Sequence, residues 1–424
     1  MNQPGQPSLT GPKLHLSRLA TVVLAAAILL PWFVLLYIAK DLTGSPAKLA
    51  APVTATGEIG HIKYAKPGPW GELHYSRIVI EPPETVIIAA QPTARPAVWT
   101  FPGYTIETLT AFWRSVALDA TQKLQINDQR NWEISPEGIR VRPGADFQQG
   151  LSPETRAQIY STLSAFAENP DQNDPFRFRA DAAAEWFADS GLKPETIAQV
   201  QRLLYHRGSS LLFSDLNLVL PKVPTLHERT RLIKTLARKS TLMVKLRIRT
   251  DSDIDGLDRY WGRGQRAKDI KPLLQSIARE GKGATIDIIH LLPRLPRSLL
   301  YTYPSTNDPG NRTYIDCHWS VLNFFNAAPD NRYSDLNEVN RAFSEDYYPF
   351  TGTPTFGDVL MFATDDGSVI HSCVYIADDI VYTKNGASPN APWILMSLSD
   401  VIAFYPTTQS LDIQYFRAKT VPVD

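Results

Sequence analysis

The chain has almost no cysteine: two residues in 424, Cys317 and Cys373. Two thiols cannot build a disulfide framework or a four-cysteine metal centre, so packing must hold the fold together. An excess of charge of one sign is also missing, because 43 Lys and Arg balance 43 Asp and Glu. Without a block of like charges the sequence lacks the electrostatic footprint of a nucleic-acid binder. Internal repeats and low-complexity tracts are absent as well. A dinucleotide fingerprint fails at Ala267, where the pair Gly262 and Gly264 needs a third glycine. A calcium loop begins at Asp251, Asp253, Asp255 and Gly256 but has Gly262 where a bidentate Glu is required, so the aspartates read as a turn and a helix cap. No metal and no cofactor is expected.

What is present is the apolar content of a folded protein, 43% of residues, over a length that suits two or three domains. From Leu19 to Ala39 no residue is charged, and at 1.5 Å per residue that run spans roughly 30 Å, the depth of a bilayer core. It is expected to be a single transmembrane helix, residues 19–39. Lys13 and Arg18 ahead of it place residues 1–18 in the cytoplasm and the bulk of the chain in the periplasm or outside the cell. The expected localisation is the inner (cytoplasmic) membrane, single-pass.

Residues 40–70, rich in Gly, Pro, Ala and Thr, read as a tether. A small β element is expected over 71–104, with a strand at Leu73–Glu81 that ends at Pro82-Pro83. Residues 105–240 read as mainly helical: Ser152-Pro153-Glu154 is a cap followed by proline at the first helical position, and further helices should start near Pro194 and Leu226. The alternation of Leu242, Val244, Leu246 and Ile248 with polar residues opens a β-containing region, 241–424.

In that region Cys317, Val321, Phe324 and Phe325 share one helical face, with Asp316 as N-cap. The thiol would then sit in the first turn, where unpaired amides and the macrodipole favour thiolate. Downstream, Val359-Leu360-Met361-Phe362 reads as a buried strand and Asp365-Asp366-Gly367 as a turn into Val369–Ile376, with His371 near the start of the second strand. A histidine so placed is a candidate base for a thiol nucleophile. Cys373, two residues on, shares its face and reads as a small core residue or a disulfide partner of Cys317.

These residues resemble the NlpC/P60 cysteine peptidases, a circularly permuted papain-like family of cell-wall enzymes. The likeness rests on Asp316-Cys317 opening a helix, on Gly357-Asp358-Val359-Leu360-Met361-Phe362, and on His371 leading Val374-Tyr375-Ile376. It covers about a quarter of the chain, roughly residues 301–406. It implies an α+β C-terminal domain, a papain-like helix on an antiparallel sheet, hydrolysing peptide or amide bonds of peptidoglycan stem peptides. Tyr303 and Trp319 would bind substrate. For the residue that orients the imidazole, family alignment points to Thr383, whereas hairpin register sets Asn385 opposite His371; both stay open. The expected partner is peptidoglycan or an envelope peptide. The rivals are a non-catalytic envelope scaffold or binding protein with the same fold, and an acyl transferase using the same thiol.

Overall fold

The structure is a computed structural model, and it describes residues 60–89, 95–179, 186–208, 210–280, 283–304, 315–405 and 411–420. Two antiparallel sheets share its largest core. The first has four strands in the order Lys63–Tyr64, Glu72–Ile80, Lys239–Ile248, Ala284–Asp287. The second has six, in the order Tyr347–Phe350, Leu411–Ala418, Val359–Thr364, Val369–Ala377, Ile380–Lys384, Trp393–Ser397. Thr241 stitches the sheets together, its hydroxyl donating to the Leu395 carbonyl at 3.0 Å and accepting the Leu395 amide at 3.1 Å.

The alternating strand forms as the pattern requires, with Leu242, Val244, Leu246 and Ile248 buried. Its partner is not a separate β element. Glu72–Ile80 pairs along its whole length with Lys239–Ile248, so the residues before the middle region complete the sheet after it. Part of the expected tether is folded too: Lys63–Tyr64 adds an edge strand, and Trp70 is buried with its ring 5.9 Å from that of Tyr260.

The middle region corrects the expectation of a mainly helical domain. Its helices are there, Pro153–Leu163 capped by Ser152, Pro194–Arg202, and Leu226–Leu236 capped by Thr225. Alongside them are two three-stranded antiparallel sheets, Trp99–Pro102, Gly138–Val141, Trp132–Ser135 and Phe176–Arg179, Ser210–Phe213, Tyr205–Arg207. Each sheet has its own apolar core with the helices around it. Strands of three or four residues show too few alternations to register as a period. The fold class is therefore α+β throughout, and the transmembrane part of the expectation is not carried: among the described residues no helix is long and apolar enough to cross a membrane. The expected span 19–39 lies outside the described residues, as do residues 1–18 and the first part of the tether. The aspartate run behaves as a cap, Asp253 accepting the Gly256 amide at 2.9 Å to open the helix Ile254–Trp261.

Gly357-Asp358 is the hinge of the C-terminal sheet. Gly357 has φ +86, and a Cβ there would fall 2.2 Å from the Phe325 ring, so only glycine fits. Asp358, fully buried, takes a forked pair of hydrogen bonds from Arg417 at 2.9 and 2.7 Å, one from Arg263 at 3.2 Å, and the Thr355 amide at 2.8 Å. One carboxylate thus ties the last strand, the helical layer and the entry to Val359–Thr364. Replacing it by Asn leaves two guanidinium groups facing a neutral amide, which should cost about 3 kcal/mol or more. Urea unfolding of Asp358→Asn checks this; a loss below about 1 kcal/mol would place the pair with weak surface ion pairs.

Candidate active site

The cysteine helix is short, Cys317–Leu322, because Asn323 turns its amide onto the Trp319 carbonyl at 3.0 Å and the Asp330 carbonyl at 3.1 Å and closes it. Phe324 and Phe325 stay on the apolar side beyond its end. Asp316 is the N-cap, accepting the Trp319 amide at 2.9 Å. The helix lies on one face of the sheet: Phe324 meets the Tyr382 ring at 5.6 Å, and the Trp393 indole donates to Ser320 Oγ at 2.9 Å.

On Val369–Ala377, successive side chains alternate between faces. Ser372 joins the cysteine helix, while His371 and Cys373 point the other way. Pairing with Ile380–Lys384 runs from Ala377↔Ile380 to Val374↔Tyr382 and no further, so the strands part at Ser372. The Cys317 thiol comes up to this notch, within hydrogen-bonding reach of the Ser372 amide and hydroxyl. The same hydroxyl is 2.9 Å from His318 Nδ1, giving a chain Cys317–Ser372–His318.

On the other face, His371 Nε2 is 2.9 Å from Thr383 Oγ1, and Thr383 in turn donates to Asn385 Oδ1 at 3.1 Å. A hydroxyl has one proton, and Thr383 gives it to Asn385, so Oγ1 accepts from the imidazole. That fixes the tautomer: Nε2 carries the hydrogen and Nδ1 a lone pair. Nδ1 is buried and makes no hydrogen bond among the described residues. The imidazole stacks on Tyr405, centroids 4.4 Å apart and planes 22° apart. Both residues considered for the orienting role are therefore in one chain, Thr383 in contact with the ring and Asn385 behind it. The ring reaches its diagonal neighbour, and the Asn385 amide nitrogen donates to Met396 Sδ at 3.1 Å.

Electrostatics run against a resting ion pair. Burial first, and then the Asp316 carboxylate, push the Cys317 thiol up to about 11, although Ser372 pulls the other way. Burial, helped by His318, lowers His371 to about 3. The expected thiolate at the helix head is thereby corrected: a six-residue helix does not offset the loss of water around a buried sulfur. Lys384, also fully buried, donates to the Gly386 and Ser388 carbonyls at 2.7 and 3.1 Å and is lowered to about 8 by burial, with Cys317 and Asp316 opposing.

Asp316, Cys317 and His318 bring three ligand atoms within 4.8 Å of one another. Each has other work: a cap, a contact with Ser372, a hydrogen bond to Ser372, and the Lys384 ammonium is close enough to feel the first two. The tripeptide reads as a helix head rather than a metal centre. Trp319 is buried against Trp393, centroids 6.2 Å apart, and Tyr303 directs its hydroxyl to the Ala237 carbonyl at 3.4 Å. Neither side chain is joined to the cysteine or the histidine by any of these contacts. Cys373 is buried and both thiols are unbridged. Ser372, Lys384 and Tyr405 escaped the sequence reading. Register places Ser372 opposite Lys384, so those two could have been found by counting, whereas Tyr405 arrives only through tertiary packing.

No family model, curated protein or solved structure matches this chain.

Two titrations follow from the burial. The native imidazole stays neutral to about pH 3, while an unfolded histidine protonates near about 6.5. His371 thus favours the folded state fully above about 6.5, and that contribution is lost as the pH falls toward the folded value. The thiol acts in the opposite direction, because it keeps its proton to about 11 while an unfolded cysteine releases it near about 8.5, so its contribution fades as the pH rises between these values. Iodoacetamide labelling of native Cys317 should accordingly rise with a midpoint near 11; a midpoint near 7 would contradict the burial argument.

Proposed function

We propose that the C-terminal domain is a thiol hydrolase that cleaves peptide or amide bonds of peptidoglycan stem peptides, with Cys317 as nucleophile and His371 as base. The observation that supports it most is the tautomer. The hydrogen-bond chain through Thr383 to Asn385 leaves Nδ1 as the unprotonated nitrogen, the state a general base needs. Orienting a ring in this way is what the third member of a nucleophile–base–acceptor set does. The spacing of Cys317, His371 and Thr383 is that of the NlpC/P60 pattern, which supplies the substrate class.

The imidazole is held on the sheet face away from the cysteine helix, and no contact among the described residues joins it to Cys317. In this reading the proton leaves sulfur as the Sγ–carbon bond to the scissile carbonyl forms, and it reaches Nδ1 across the gap where the two strands part. The Ser372 amide and hydroxyl stabilise the developing negative charge on sulfur. The protonated imidazole then returns its proton to the departing amine, and water releases the acyl group from the thioester. Capture of that thioester by an amine instead of water would make the same site an acyl transferase.

Two further readings have an observation behind them. The contact chain through Ser372 offers His318 as the proton acceptor in place of His371. The burial of both Cys317 and His371 favours a binding protein that keeps the fold without turnover.

Incubation of the full chain with defined muropeptides, read by mass, decides among them. Cleavage should vanish in Cys317→Ala and fall at least about 100-fold in His371→Ala. Thr383→Val should cost about fivefold, the worth of one hydrogen bond near 1 kcal/mol, and Asn385→Ala less. Loss in His318→Ala with His371→Ala still active transfers the base role to His318. Cleavage that survives Cys317→Ala contradicts the hydrolase reading, and intact muropeptides with the unaltered chain favour the binding protein.

A further inference from the structure

Between the middle region and the C-terminal sheet lies a cavity of about 100 Å³. Arg177 and Phe178 come to it from the strand Phe176–Arg179, Lys239 from the start of Lys239–Ile248, and Asn385, Met396 and Phe404 from the far wall. Its charges do not balance. Arg77, Arg177 and Lys239 face it with one carboxylate, Asp400, which is 2.6 Å from Arg77. Arg177 is held in place, donating to the Phe404 carbonyl with its guanidinium 4.1 Å from the Phe404 ring centre. Lys239 makes no ion pair or side-chain hydrogen bond among the described residues. Lys239 is part-buried, and an ammonium group partly withdrawn from water without a partner carries a cost that an anion would remove.

We infer that this cavity binds a small organic monocarboxylate, paired with Lys239 and seated against the aromatic wall. Asp400 offsets Arg77 and leaves Arg177 and Lys239; Arg177 is already seated on the Phe404 carbonyl and ring, so the carboxylate is placed at Lys239. Beside the polar Ser210, Ser240, Thr241 and Asn385, the lining holds Phe178, Trp186, Ile394 and Leu395, which suit the short hydrocarbon body of an organic acid better than a bare inorganic ion. Burial lowers Lys239 to about 8 and the more exposed Asp174 opposes it, so the ammonium is still charged at neutral pH and ready for a carboxylate. Asn385 belongs both to this wall and to the hydrogen-bond chain that ends on His371, so an occupant would abut the candidate active site from behind. The inference goes beyond the hydrolase reading and stands without turnover.

Calorimetric titration of the full chain with propionate, propionamide and inorganic phosphate tests it. Propionate should bind at least tenfold more tightly than its neutral isostere propionamide, and Lys239→Met should remove that preference while raising the melting temperature of the unliganded protein. Should that variant fail to fold, Ala403→Leu, at the cavity wall, serves instead and should block propionate. Equal binding of propionate and propionamide, binding of phosphate without propionate, or wild-type affinity in either variant would overturn the proposal.

Discussion

Withdrawal of His371 from water is the constraint on which the rest of the site depends. An imidazole at zero exposure, stacked on Tyr405, has no solvent to satisfy its N–H, so Thr383 must accept it, and Thr383 can do so only because its own proton goes to Asn385. The tautomer follows from burial and proton counting, without any charge on the ring. The same burial raises the thiol and lowers the imidazole, so both groups rest neutral, and in the proposed hydrolysis the base acts only as the sulfur reacts. A resting thiolate–imidazolium pair would need water that the packing does not supply, and the Lys384 ammonium near the thiol does not offset that loss.

The fold makes this corner by parting two strands. Pairing of Val369–Ala377 with Ile380–Lys384 stops at Val374, which releases the Ser372 amide to meet a sulfur coming from a helix on one face while the imidazole is held on the other. Gly357 and Asp358 fix where that strand system begins, the glycine by leaving room for Phe325 and the aspartate by holding Arg417 and Arg263. Residues that look like signature letters in the sequence are, in the structure, the anchors of strand register.

Legibility follows sequence separation. The caps at Ser152, Asp253 and Asp316, the alternating strand after Lys239, and the hairpin carrying His371 are local and could be read directly. The register that sets Tyr382 opposite Val374 was also accessible, since it needs only a turn length. Three things were not. Strands of three or four residues in the middle region show no period, and the pairing of Glu72–Ile80 with Lys239–Ile248 joins segments with the whole middle region between them. The reversal of the expected thiol ionisation was hidden for a different reason: a helix head can be read from sequence, but the water around it cannot.

The most direct measurement of the central claim is the intact mass of the full chain during reaction with a muropeptide, followed by peptide mapping. The account predicts an acyl adduct on Cys317 and none on Cys373, formed in the unaltered chain and in Thr383→Val but not in His371→Ala. A chain that shows no adduct while muropeptides are cleaved, or an adduct that forms as readily without His371, would contradict it.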